Sequence, residues 1–199
     1  MSEHIADYLR DVTRIISNLS VSDIQALVDA VRDVRDRRGR LFVIGVGGGA
    51  AHASHAVNDL RKIAGIESYA PIDNVSELTA RINDEGWDTC FSEWLRGSQI
   101  TSADAVLVFS VGGGSVEQKV SMNVVRALEL AEERGAGIFG IVGRDGGYTA
   151  RVANACVVVP TTRKATLTAH TEGLQSVIWH LLISHPDICV HEMKWESLD

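Results

Sequence analysis

Leu41-Phe42-Val43-Ile44-Gly45-Val46-Gly47-Gly48-Gly49 is a short apolar run that breaks into a glycine turn. An apolar run of this length without polar alternation suits a strand covered on both faces, as in a parallel sheet. The glycines allow a sharp turn and close backbone approach, and the helix predicted next, Ala50 to Ala64, presents free N–H groups to an anion at its start. The pattern recurs downstream. Ala105 to Phe109 leads into Ser110-Val-Gly-Gly-Gly-Ser115 and a helix predicted from Val116 to Arg134, and Gly137 to Val142 leads into Gly143-Arg-Asp-Gly-Gly147. Ala155 to Val159 is a further strand, Ser68 to Ala70 a shorter one, and Val75 to Asn83 and Thr171 to Ser184 read as helices. Strands alternating with helices over short loops imply right-handed crossovers and a doubly wound parallel α/β sheet.

Ahead of this pattern, Ile5, Leu9, Val12, Ile16 and Leu19 recur at helical spacing, and after Ser20 so do Ile24, Leu27, Val28, Val31 and Val34. We expect one domain over residues 1–199, made of a helical segment (1–38) and an α/β core (39–199).

The composition narrows the function. A formal net charge of −7 argues against a nucleic-acid partner, which calls for a basic stripe. Cys90, Cys156 and Cys189 are far apart and form no C-x-x-C pair, so neither a disulfide framework nor a zinc finger is expected. The polar N-terminus and the lack of an apolar run of ~20 residues lead us to expect a cytoplasmic protein with no membrane partner.

In open α/β sheets ligands bind beyond the carboxyl ends of the strands. One glycine loop there is as well explained by a tight turn, but two make ligand binding the better reading. Gly47, Gly48 and Gly49, together with Ser110, Gly112, Gly113, Gly114 and Ser115, are the candidate phosphate contacts. The loop Gly143 to Gly147 reads first as structural, with Arg144 as a further candidate for ligand contact. A nucleotide cofactor is not expected, because no strand-end acid follows the first loop at the ribose-binding distance and a Walker lysine is missing.

His52, His55 and Asp59 share one face of the helix after the first loop. For His52 alone a solvated helix face is the simpler reading, whereas His55 and Asp59 read as a site. A carboxylate and an imidazole so placed can serve as a base and an acid at neighbouring atoms of a ligand. His180 lies in an apolar helix, where partial burial would favour its neutral form. Asp84, in a polar run around a short helix, is expected to hydrogen-bond the ligand.

Gly45-Val-Gly-Gly-Gly, His55-x-x-x-Asp59, Asn83-Asp-x-Gly-Trp-Asp88, Ser110-Val-Gly-Gly-Gly-Ser115, Gly143-x-Asp-Gly-Gly147 and Glu172 with His180 together resemble the sugar isomerase (SIS) domain phosphoheptose isomerases over nearly the whole chain. The resemblance implies a five-stranded parallel sheet, a homotetramer with active sites where subunits meet, and a phosphorylated sugar as partner. It also implies isomerisation of sedoheptulose 7-phosphate in heptose biosynthesis. The family's catalytic glutamate falls on Asp59, its glutamine on Glu172 and its histidine on His180, so either Asp59 or Glu172 would be the base. Some relatives hold zinc, and His55, Asp59, Glu172 and His180 are the matching candidate ligands for Zn2+; Glu172 and His180 are too far apart on one helix to share an ion unless Glu172 precedes the helix or different subunits supply them.

The family's usual loops read G-N-G-G-S and S-T-S-G-N-S, whereas Val46, Gly49, Val111, Gly112 and Gly114 stand at polar positions here. The lost hydroxyls shift phosphate binding toward backbone N–H groups. They also support an alternative, a non-catalytic sugar-phosphate sensor or a protein adaptor.

Overall fold

The computed structural model describes residues 3–194. Two leading helices, α1 (Glu3–Ser17) and α2 (Val21–Asp36), precede the alternating part of the chain. There β1 (Leu41–Gly45), α3 (Gly48–Lys62), β2 (Ser68–Tyr69), α4 (Val75–Glu85), α5 (Cys90–Gly97), β3 (Ala105–Ser110) and α6 (Met122–Glu133) follow in order. The chain continues through β4 (Gly137–Val142), α7 (Gly147–Val152), β5 (Ala155–Val158), a 3-10 turn (Lys164–Thr166) and α8 (Leu167–Ser184). All strand pairings are parallel, in the order β2-β1-β3-β4-β5. The doubly wound five-stranded sheet expected from the sequence is therefore present.

The uninterrupted apolar strands have a direct cause, because each face of the sheet has its own core. Leu41, Val43, Leu107, Phe109 and Ile141 meet Leu27, Val31, Ala53, Leu60, Ile178 and Trp179 on one face. Phe42, Ile44, Val106, Val108 and Ile138 meet Phe91, Trp94, Val124 and Leu128 on the other. Ser20 starts α2 by accepting a hydrogen bond from the Asp23 N–H, a capping contact that sets the bend between the first two helices. At the other edge of the sheet's lower end, Asp104 is almost fully buried and accepts from the backbone and guanidinium of Arg40 and from Thr101, tying the starts of β1 and β3 together.

Two helices differ from expectation. α8 begins at Leu167, not at Thr171, so Glu172 lies inside the helix. α6 begins only at Met122: residues 115 to 120 form a small hairpin with a reciprocal Ser115–Val120 backbone pair, and Lys119 and Ser121 adopt positive φ of 53° and 51°. Helix α5 and the short α7 were not anticipated.

Candidate functional site

A cavity of about 490 Å³ opens above the carboxyl ends of β1, β3 and β4, as expected for an open α/β sheet. Val46 and Gly49 from the first glycine loop line it, with Ser110, Val111 and Gly112 from the second, Ser121 at the start of α6, and Arg144 after β4. Lys164, Thr168, Glu172 and Gln175 close the wall from the 3-10 turn and α8.

The glycine loops play different parts. A Cβ at Gly48 would lie 2.5 Å from the Glu172 carboxylate, so this carboxylate rests against the first turn of α3, where the positive end of the helix dipole favours an anion. The natural anion position of the first loop is thus taken by the protein's own side chain. Of the expected contacts in that loop, Gly49 lines the cavity, Gly48 packs under Glu172, and Gly47 faces open space.

The second loop is held from behind. Gly113 has a φ of 69°, and a Cβ there would lie 1.9 Å from the Gly146 carbonyl oxygen. Its own carbonyl accepts from the Thr149 hydroxyl at 2.8 Å and from the Thr149 N–H at 2.9 Å, and Gly114 accepts from the Tyr148 N–H. The loop at Gly143 to Gly147 is therefore a brace for the second loop. Ser110 lines the cavity while accepting from the Gly113 N–H at 3.0 Å. Ser115 does not reach it: its hydroxyl donates to Glu117 at 3.1 Å and accepts from the Gln118 N–H, an arrangement that belongs to the hairpin. Ser121, one hairpin later, stands where Ser115 was expected. Asp84 also lies apart from the cavity, exposed on α4 and accepting from the neighbouring Asn83 amide at 2.7 Å.

A second group of residues lies farther along α3 and α8. Gly48 meets Glu172 and His55 meets His180, so the two helices run in the same direction. Seven residues of α3 separate the two contacts, a distance on the order of 10 Å along the axis. Here one ligand atom each from His55, Asp59 and His180 lies within 4.8 Å of the others, and Glu172 is not among them. The placement of Glu172 within α8 removes one of the two routes by which it and His180 could have shared an ion. His55 Nε2 is 3.6 Å from Asp59 Oδ2, and the Asn58 amide donates to the other Asp59 oxygen at 2.7 Å.

His180 is exposed, not a core residue as its apolar helix had suggested. Its neighbour Trp179 takes the core position and stacks on it, and Trp179 also meets the edge of His55 at 4.7 Å. His180 Nδ1 is 2.8 Å from the Ser176 carbonyl oxygen. Since a carbonyl only accepts, Nδ1 carries the proton and Nε2 is left with a free lone pair.

Between the two groups stands His52. Burial lowers its pKa first of all, opposed by Glu172 and reinforced by His55 and His180. It is thus part of the electrostatic connection between cavity and cluster, beyond the solvated helix face expected of it. Gln175 is the other residue the sequence did not reveal. It is fully buried, its Nε2 donates to the Ile141 carbonyl at 2.9 Å, and its Oε1 has no partner among the described residues. A buried acceptor without a donor, in the wall of a cavity, suits a ligand hydroxyl or a bound water. The signals for Arg144, Lys164 and Gln175 were their positions just beyond β4 and β5 or on the helix that returns over them.

No family model matches the chain. A phosphoheptose isomerase from Rhodospirillum rubrum is 32% identical over 149 residues, which cover 72% of this chain and 73% of that protein. This chain belongs to the phosphoheptose isomerase family. That membership makes it an isomerase enzyme. The lincomycin biosynthesis protein LmbN of Streptomyces lincolnensis is 29% identical over 188 residues, covering 89% of this chain but 66% of LmbN, just under two thirds of its length. The fold agrees as well: the structure of phosphoheptose isomerase GmhA from Neisseria gonorrhoeae superposes with a TM-score of 0.78 at 24% identity, covering 91% of this chain and 96% of that one.

Proposed function

We propose that the chain interconverts a ketose phosphate and an aldose phosphate through an enediolate, with sedoheptulose 7-phosphate and the corresponding heptose 7-phosphate as its pair. The observation that carries this reading is the separation between cavity and cluster. An extended covalent chain advances ~1.2 Å per bond, so about 8 Å separate the phosphorus from C2 of an open seven-carbon 7-phosphate. With its phosphate in the cavity, such a sugar extends its C1 and C2 end toward Asp59 and His180.

In this reading Asp59, oriented by Asn58, removes the proton from the carbon next to the carbonyl, and His180 Nε2, set by the Ser176 carbonyl, passes a proton between the oxygens. Glu172, beside the cavity, binds sugar hydroxyls and is less well placed to be the base. As an exclusive alternative use of the same atoms, His55, Asp59 and His180 would suit Zn2+, two imidazoles and one carboxylate leaving a coordination position open, with Asp59 and His180 then serving as ligands in place of proton transfer. When bound there, such an ion supplies Lewis-acid polarisation of the sugar's oxygens. Glu172 is outside this set. The same proposal includes assembly as a homotetramer with sites at subunit contacts, supported by Ile5, Leu9 and Ile16, exposed on α1, and by Val177 and Leu181, exposed on α8 beside His180. It also includes a cytoplasmic location, in keeping with three free thiols; among the described residues no helix is long and apolar enough to cross a membrane.

The test is solvent-deuterium incorporation next to the carbonyl, followed by NMR with sedoheptulose 7-phosphate and zinc present. Asp59→Asn and His180→Ala should each lower turnover by about 100-fold or more while sugar-phosphate binding persists. Binding without exchange in the intact protein would favour the sensor or adaptor reading, and full exchange in both variants would remove these residues from the reaction.

A further inference from the structure

In this acidic chain most arginines are engaged by nearby carboxylates: Arg40 by Asp104, Arg81 by Glu77, Arg126 by Glu129 and Arg163 by Asp7. Arg144 and Lys164 differ. Neither forms a hydrogen bond or an ion pair among the described residues, and both line the same cavity although they come from separate loops. Both are exposed, and Glu172 is the one carboxylate among the described residues lining this cavity with them, so an entering anion would meet two cations that no ion pair occupies.

The backbone supports this. Arg144 holds a φ of 54°, a left-handed conformation that costs a non-glycine residue roughly 1 kcal/mol. Its side chain then crosses the second loop, where a Cβ at Gly112 would lie 3.7 Å from Arg144 Cδ and 3.8 Å from Nη1. The Arg144 side chain therefore lies alongside Gly112 at ordinary van der Waals distance, over the second loop. Lys164 opens the turn after β5, and its neighbour Arg163 is anchored to Asp7 and Asp11 on α1, which fixes that part of the rim. The hydroxyl cradle is weakened at the same time: Ser110 is engaged by the Gly113 N–H, and Ser115 is committed to its hairpin.

We propose that Arg144 and Lys164 form a two-cation clamp for a phosphate dianion and are determinants of phosphate specificity at this cavity. The clamp rests on the function proposed above only for the identity of the sugar attached to that phosphate. Arg144 can meet two phosphate oxygens with its planar fork, while Lys164 acts as a point charge from the opposite wall.

The experiment titrates inorganic phosphate into the full chain by calorimetry, comparing the unmodified protein with Arg144→Gln, Lys164→Gln, both together, and Arg144→Lys. Each neutral variant should weaken phosphate binding roughly 10-fold and the pair more, with Arg144→Lys falling between. Raising ionic strength from roughly 0.01 M to 0.15 M should weaken binding to the unmodified protein and much less to the double variant. With sedoheptulose 7-phosphate, KM should rise more than kcat falls. Unchanged melting temperatures will confirm that the variants fold. Equal phosphate affinity in unmodified and neutral variants, no salt dependence, or no phosphate binding at all would overturn the clamp. Cation-dependent phosphate binding without isomerisation of any sugar phosphate would instead retain the clamp and remove the isomerase reading.

Discussion

The two glycine loops have nearly the same sequence, Gly45-Val-Gly-Gly-Gly49 and Ser110-Val-Gly-Gly-Gly-Ser115, and both leave a central parallel strand at the same end of the sheet. They are used in opposite ways. The first runs directly into α3 and receives the Glu172 carboxylate at the helix start. The second passes through a hairpin before α6 begins, is braced by the loop after β4, and leaves its mouth to Arg144 and Lys164. What a glycine loop can bind is therefore decided by residues that reach it from other elements, and three glycines in a row do not by themselves mark an anion site.

The sharpest way to break the comparison is to add side chains to the loops. Gly113→Val places a branched Cβ at a positive φ and 1.9 Å from the Gly146 carbonyl oxygen, where backbone on both sides leaves no room to yield. The expected loss is about 3 to 5 kcal/mol of stability or failure to fold. Gly47→Ala has a comparable φ of 60° but nothing within 4 Å of its Cβ, so its cost should stay at about 1 kcal/mol. Thermal and urea melts of the two variants check this. Similar losses would mean that the brace from Gly146 and Thr149 contributes little. It follows that a β-branched residue at Gly113 cannot serve as a clean probe of ligand binding.

A milder substitution sharpens the contrast at the end of the second loop. Ser121→Ala removes a hydroxyl from the cavity wall and should weaken sugar-phosphate binding by roughly 5- to 10-fold, the worth of about one hydrogen bond. Ser115→Ala removes only contacts within the hairpin and should leave that affinity close to its original value. A titration that reversed this order would show the hairpin opening in the bound state and restoring Ser115 to the family's position.

Much of the fold was legible because parallel strands covered on both faces leave uninterrupted apolar runs, and Leu41 to Gly45, Ala105 to Phe109 and Gly137 to Val142 are such runs. The hairpin was not. Val116 and Val120 stand four residues apart, as on a helix face, and the turn depends on positive φ at Lys119 and Ser121, which neither residue type signals. Of the His55, Asp59 and His180 cluster, spacing along α3 marked the first two, and the family resemblance marked His180. Arg144 was a candidate from its loop after β4, whereas Lys164 and Gln175 belong to the cavity only through the directions of separate elements, which no local spacing encodes. Asp84 was drawn toward the site by its polar surroundings, whereas in the structure those residues serve the exposed helix α4, where Asn74 caps Glu77.

The smallest effect expected concerns pH and the helix that leaves the first loop. His52 is displaced downward from the usual 6.5 chiefly because burial disfavours its charged form, with Glu172 opposing and His55 and His180 adding to the shift. In the unfolded chain the imidazole takes up its proton at the ordinary value, so as pH falls through that value the unfolded state binds more protons than the folded one. Stability associated with neutral His52 is therefore present above pH 6.5 and is progressively lost below it, down to the folded-state value. His52→Gln, neutral at every pH, should flatten that part of the melting-temperature profile while leaving the plateau above neutrality nearly unchanged. Inorganic phosphate adds negative charge near Glu172 and should narrow the difference between the two proteins by favouring the protonated imidazole. If His52→Gln leaves the acid slope as it was, protonation elsewhere governs it, and the electrostatic link between cavity and cluster through His52 is lost.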